Sequence, residues 1–211
     1  MDMDCDDMGF RHAFCSAIGA YKNGCIPIGC AILDSGGKLA ARGENCQYSD
    51  RAGEAITNHP LAHAEINALL KTSAYTHQDI GTYTLYTTLE PCPLCFGAVV
   101  MGGIKSVKFA ALDKHNEFAK LNTSVEFIAE RNIAIEGPFA KYQEVQIALI
   151  VCRRLEMGFG DNEKIHRIYD NYCPVGAEMG YRLKDDAQFK NLLSYGENDE
   201  ILDHVIGMIV N

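Results

Sequence analysis

The chain has 211 residues, 47% of them hydrophobic, and a formal charge of -9. That apolar content supports one substantial core and excludes a disordered or fibrous class. The negative balance opposes long-range attraction to phosphate backbones and acidic membranes, which favours a small substrate over a polymer. The acidic opening Met1 to Asp7, followed by an apolar run broken at Arg11-His12, predicts no secretory signal. No uninterrupted apolar stretch approaches the ~18 residues of a membrane span. Nine scattered cysteines, an odd number, fit a reducing cytoplasm better than a disulfide scaffold.

In chain order, Phe10, Phe14, Ala17, Ile18 and Tyr21 recur at helical spacing and predict a helix over 8–21. Pro27 to Leu33 reads as a buried strand, turned through Asp34-Ser35-Gly36-Gly37 into a hairpin partner over 38–43. Residues 44–58 read as a loop, and Leu61, Ala64, Ala68 and Leu69 predict a helix over 60–74 with Pro60 in its first turn. Thr82 to Thr88 reads as a strand, and the segment after Cys95 as an apolar helix stopped by Gly102-Gly103. Ser106 to Ala111 forms the next strand, a β-α-β pattern that favours parallel neighbours. Asn132 to Glu136 is the fifth strand, and Val145, Leu149, Cys152 and Leu155 predict a helix over 141–157. Beyond Gly158, short helices are expected over 164–171, 185–193 and 200–210, separated by glycine-bearing breaks. The expected organisation is a core over 1–157 and a helical C-terminal extension over 158–211, packed on the core or on a partner subunit.

The chemistry is carried by His63-Ala64-Glu65 at one helix start and Pro91-Cys92-Pro93-Leu94-Cys95 at another. If the two starts adjoin, one imidazole and two thiolates converge on zinc and leave a fourth position for water. Helix N-termini favour thiolate over thiol. Zinc eases deprotonation of that water, and Glu65 can take the proton without being a ligand. Glu65 can then protonate a ring nitrogen and the departing amine, so that a carbonyl replaces an exocyclic amino group. His63 must therefore point at the metal while Glu65, two residues on, reaches the water.

The run Thr88-Leu89-Glu90-Pro91-Cys92-Pro93-Leu94-Cys95, together with the His-Ala-Glu triplet, resembles the cytidine/deoxycytidylate deaminase superfamily. Pro27 to Ile32, Asn45 and Leu61-Ala62-His63-Ala64-Glu65 extend the resemblance over roughly residues 8 to 157. It is closest in flavour to the branch containing guanine deaminase and tRNA adenosine deaminase. The resemblance implies a three-layer α/β/α domain with a mixed, mainly five-stranded sheet, zinc as cofactor and a homodimer. It also implies that Asn45 meets the base edge, that the Ala64 backbone contacts a ring carbonyl, that the Glu90 carbonyl holds the amino group, and that His59, Pro60 and Leu61 shape the wall. The acidic balance departs from the basic surfaces of the tRNA enzymes. The expected substrate is thus a small heterocyclic amine, a free nucleobase or nucleoside with guanine leading. Two alternatives stand beside it: a tRNA adenosine-to-inosine deaminase, and an inactive zinc-bound structural or interaction protein.

Other residues read as structure. Cys25, Cys30, Cys46 and Cys152 suit the core or loops, Cys173 a loop, and His115 a solvated break. Phe118, Phe127, Phe139 and Tyr142 suit the core or an interface.

Overall fold

The computed structural model describes residues 5–50, 52–113, 121–158 and 163–210. His115 and Phe118 lie outside them. Helix α1 (Cys5–Lys22) leads into the hairpin β1 (Gly29–Leu33) and β2 (Leu39–Glu44). Helix α2 (Ala64–Leu69), strand β3 (Thr84–Leu89), helix α3 (Pro93–Gly102) and strand β4 (Ser106–Ala111) follow. Two single-turn helices, α4 (Leu121–Ser124) and α5 (Glu126–Ala129), precede β5 (Ala134–Glu136). The helices α6 (Ala140–Glu156), α7 (Glu163–Tyr172), α8 (Pro174–Asp185), α9 (Ala187–Tyr195) and α10 (Asn198–Val210) end the described chain.

The five strands lie in the order β2-β1-β3-β4-β5. β1 is antiparallel to β2 and β3, while β3, β4 and β5 run parallel. All five residues of β1 are buried because both sheet faces are covered. Its alternate side chains divide between two cores: Ala31 and Leu33 meet α1 and α6, whereas Cys30 and Ile32 meet α2 and α3. The outcome is a three-layer α/β/α domain with a mixed five-stranded sheet, as the sequence implied.

Helix α2 is much shorter than the expected span 60–74. Its entry is consumed by turns, with the Ala62 amide donating to His59 O and the His63 amide to Leu61 O. At the other end the Thr72 hydroxyl donates to Leu69 O and Ser73 Oγ accepts from the Tyr75 amide. Such local bonds offer the backbone an alternative to further helical turns. What α2 lacks in length it gains in proximity. A Cβ on Gly43 of β2 would lie 2.1 Å from Ala64 O and 2.4 Å from the Ala68 amide, so only glycine lets the two backbones approach this closely.

The glycine-bearing break expected before residue 185 is instead helix α8. Gly176 and Gly180 mark a close helix crossing: a Cβ at Gly180 would stand 2.6 Å from Val151 Cβ on α6. Cys173, the non-helical residue between α7 and α8, is the buried N-cap of α8. Helix α10 buries Ile201, Leu202 and Val205 in the same core as Phe10, Phe14 and Ile18 of α1. Phe139 meets Phe10 edge-on and Tyr142 meets it at a tilt, whereas Phe127 is exposed with the Arg131 guanidinium over its ring. Among the described residues, no helix is long and apolar enough to cross a membrane.

Candidate active site

The chemistry-bearing residues gather where parallel strands end. Glu90 follows β3 and Asp113 lies just beyond β4, at the carboxyl edge where open α/β sheets place their ligand crevices. Asn45 follows β2, on a loop tied to α2 by the fully buried Asn67. The Asn67 amide nitrogen donates to Glu44 O and Ile56 O, and its oxygen accepts from the Ile56 amide. His63 is the N-cap of α2, with extended backbone, and Glu65 is in the first turn. Cys92 is the N-cap of α3 and Cys95 is in its first turn, beside the preorganising Pro93.

These placements bring the donors of His63, Cys92 and Cys95 within 4.8 Å of one another. His63 Nδ1 lies 3.5 Å from Cys92 Sγ and 3.4 Å from Cys95 Sγ. Tetrahedral zinc with ordinary Zn–N and Zn–S bonds requires an N···S separation of about 3.6 Å, so the donor set fits with almost no rearrangement. The electrostatics agree. Two thiols and a carboxylate crowd one buried point beside a single imidazole, a soft, electron-rich set that a divalent cation would neutralise. Cys92 is held down to about 4 by a hydrogen bond from Cys95 and by His63, while Cys95 is pushed up by its bond to Cys92 and by burial. His63 is raised by its bond to Cys92.

Glu65 is 3% exposed, and burial pushes its carboxyl above the ordinary range. One oxygen accepts from the Thr87 hydroxyl at 2.9 Å and the other from Cys95 Sγ at 3.3 Å. A carboxyl so oriented and with a raised proton affinity is suited to accepting a proton and giving it back.

A cavity of about 140 Å³ opens over this cluster, lined by Ile28, Asn45, His63, Glu65, Leu89, Glu90, Cys92 and Asp113. None of these is Lys or Arg. Asn45, Glu90 and the two outer donors thus share one cavity, with Cys95 buried beside them. His59, Pro60 and Leu61 are exposed and outside the lining set, and Ala64 is fully buried. Ile28, Leu89 and Asp113 line the cavity in addition. Sequence reasoning also missed Thr87 and Gln47. Thr87 is a polar residue at a fully buried position of β3, an anomaly visible only once the inward face is known. Gln47 donates to Pro60 O at 2.9 Å, lies 3.4 Å from His63 Nε2, and exchanges bonds with the Asn45 side chain. It ties the Asn45 loop to Pro60, three residues before His63.

Residues 3–111 match the family model described as the cytidine and deoxycytidylate deaminase zinc-binding region. The chain belongs to this deaminase family. Zinc is the family's metal, and the cluster of one imidazole and two thiols fits it. The deaminase is 34% identical over 113 residues to the tRNA-specific adenosine deaminase of Bacillus subtilis (strain 168), covering 51% of this chain and 63% of that protein. It is 33% identical over 118 residues to the guanine deaminase of the same organism, covering 54% of this chain and 66% of the relative. The matched stretch therefore spans somewhat less than two thirds of either relative. Its fold is shared with a single-residue mutant of NE0047 solved in complex with 8-azaguanine, at a TM-score of 0.50 and 22% identity over 70% of this chain and 82% of that one.

Proposed function

We propose that this deaminase hydrolyses the exocyclic amino group of a free nucleobase or nucleoside, with guanine as the leading substrate. His63, Cys92 and Cys95 hold the zinc and Glu65 is the proton shuttle. The observation that carries this reading is the convergence of three metal donors and a buried carboxyl on one small cavity that also presents Asn45, Glu90 and Asp113. Bound there, zinc supplies Lewis acidity and makes a water molecule a nucleophile near neutral pH.

Glu65 accepts a proton from that water and delivers protons to the ring nitrogen and to the departing amine. One water is consumed, one ammonia leaves, and a carbonyl takes the place of the amine. Thr87 fixes Glu65 Oε1, so the carboxyl does not swing away between the two transfers. Asn45 offers a donor and an acceptor to the ring edge. The side chains of Glu90 and Asp113 accept hydrogen bonds. They favour a ring that keeps N–H donors besides the reacting amine, as guanine does and adenosine does not. The Ala64 backbone and the Glu90 carbonyl complete the contacts to ring and amine. We assign residues 1–157 to this core and 158–211 to a helical extension of it, in a cytoplasmic homodimer.

A second reading, deamination of adenosine in tRNA, is favoured by the similarity to the Bacillus subtilis tRNA-specific enzyme. Among the described residues no Lys or Arg lines the cavity, and this together with the charge of -9 supports the small substrate. A purely structural zinc site is disfavoured because the cluster among the described residues holds three donors, which leaves the fourth position open. Ammonia release from free bases, nucleosides and an adenosine-containing RNA hairpin tests these readings, with Glu65→Ala as control. Glu65-dependent turnover of guanine is expected. Turnover confined to the hairpin would establish the tRNA reading, and none by zinc-loaded protein would leave the structural one.

A further inference from the structure

The acidic side of the cavity is built on a residue of the C-terminal extension. Strand β4 ends at Ala111, so the amides of Leu112 and Asp113 lie beyond its ladder. The Leu112 amide donates to the Tyr172 hydroxyl at 2.9 Å, and that hydroxyl donates to Gln143 Oε1 on α6 at 2.5 Å. Donating one bond while accepting another, the hydroxyl has its orientation fixed. Burial raises Tyr172 to about 12, which keeps its proton in place for the bond to Gln143. The next amide, that of Asp113, donates to Glu90 Oε2 at 3.2 Å, and both acids line the cavity. Leu89, another lining residue, packs in the same apolar cluster as Tyr172.

One turn further along α6, the fully buried Gln146 donates to Pro27 O at 2.8 Å. Pro27 precedes Ile28, which also lines the cavity and whose carbonyl accepts the Asn45 amide at 3.0 Å. Gln143 and Gln146, three residues apart on one helix face, thus each tie α6 to a segment that lines the cavity.

We infer that Tyr172 is a positioning residue for substrate binding: its hydroxyl, held by Gln143, sets the Leu112-Asp113 segment and with it the pair of acids that meets the substrate. This rests on the proposed deaminase reading of the cavity. Tyr172 acts on binding and not on the proton transfers, which belong to Glu65 on another wall. Its signature is a change in KM without a change in kcat.

Tyr172→Phe keeps the ring packing and removes the hydroxyl. With guanine as substrate, KM is expected to rise about five- to tenfold, the worth of one hydrogen bond, with kcat within about twofold of wild type. Amide hydrogen exchange over residues 108–113 is expected to quicken. Gln143→Glu keeps an acceptor for the hydroxyl and should leave KM within about twofold. Wild-type KM in Tyr172→Phe, or a fall in kcat at constant KM, would overturn the inference. If the wild-type protein turns over no guanine, the substrate reading fails by itself. The exchange measurement then decides alone: faster exchange at Leu112 and Asp113 in Tyr172→Phe sustains the brace, and unchanged exchange removes it.

Discussion

Helices α2 and α3, six and ten residues long, cover the sheet face that carries the chemistry, whereas α1 and α6, eighteen and seventeen residues long, cover the other. The short pair contributes its first turns: His63, Glu65, Cys92 and Cys95 all lie at or next to helix starts. There the exposed N–H groups and the helix dipole favour negative charge, and additional length would add nothing to the site. The long pair, with α8 and α10, contributes apolar area, from Phe10 and Phe14 to Leu149 and Val205. Damage should accordingly look different on the two sides. On the first it removes specific atoms and with them the chemistry; on the second it changes volume and with it stability.

The largest effect expected on the chemical side comes from Cys95→Ala. The substitution removes a buried donor from a three-donor cluster, so zinc measured by atomic emission should be lost and deamination should fall to background. Retention of stoichiometric zinc with turnover near wild type would show that the cluster does not hold the metal. On the packing side, Gly180→Val places a side chain where even a Cβ meets Val151 Cβ at 2.6 Å and Ala148 O at 2.8 Å. A loss of roughly 1–3 kcal/mol or more is expected in denaturant unfolding, while the folded fraction keeps its zinc. Zinc loss in proportion to the loss of stability would erase the distinction between the two sides.

The smallest effect tests the join between α1 and α10. Arg11 contacts Asp203 at 2.8 Å and Asp199 at 2.5 Å. The hydrogen bonds from Arg11 hold the Asp203 carboxyl below the ordinary carboxylate range. A group depressed in the folded state stabilises it above the unfolded pKa and loses that contribution as pH falls through the folded value. Asp203→Asn should cost less than about 1 kcal/mol at pH 7, since the pair is largely solvated, and the difference from wild type should close in the acid range below pH ~4. A difference that persists there would mean that Asp203 acts through packing.

The same two-sidedness governs how much could be read from the chain. The candidate metal donors were legible because Cys92 and Cys95 sit on one helix turn and His63 and Glu65 are two residues apart, so local geometry sets each half, while the meeting of the halves depended on the two helix starts adjoining. The strands were legible from apolar runs, β-branched and aromatic residues and the turns that bound them. Helix α8 was not, because a glycine in a close helix crossing and a glycine in a break look alike until the facing helix, with Val151, is known. Asp113, Leu89 and Ile28 line the cavity without having been legible, because their meeting depends on the ends of β3 and β4 and the segment before β1.

Composition and spacing by themselves determined the α/β class, the donor types for zinc and the identity of the neighbouring carboxyl, since these follow from periodicity and from residues close in the chain. Tertiary structure alone decided that Thr87 orients Glu65, that Gln47 reaches Pro60 and that Tyr172 reaches Leu112 across 60 positions. The physical reason is that a single hydrogen bond leaves no periodic trace in sequence. Which donor meets which acceptor is settled only after the larger free energy of apolar burial has placed the elements that carry them.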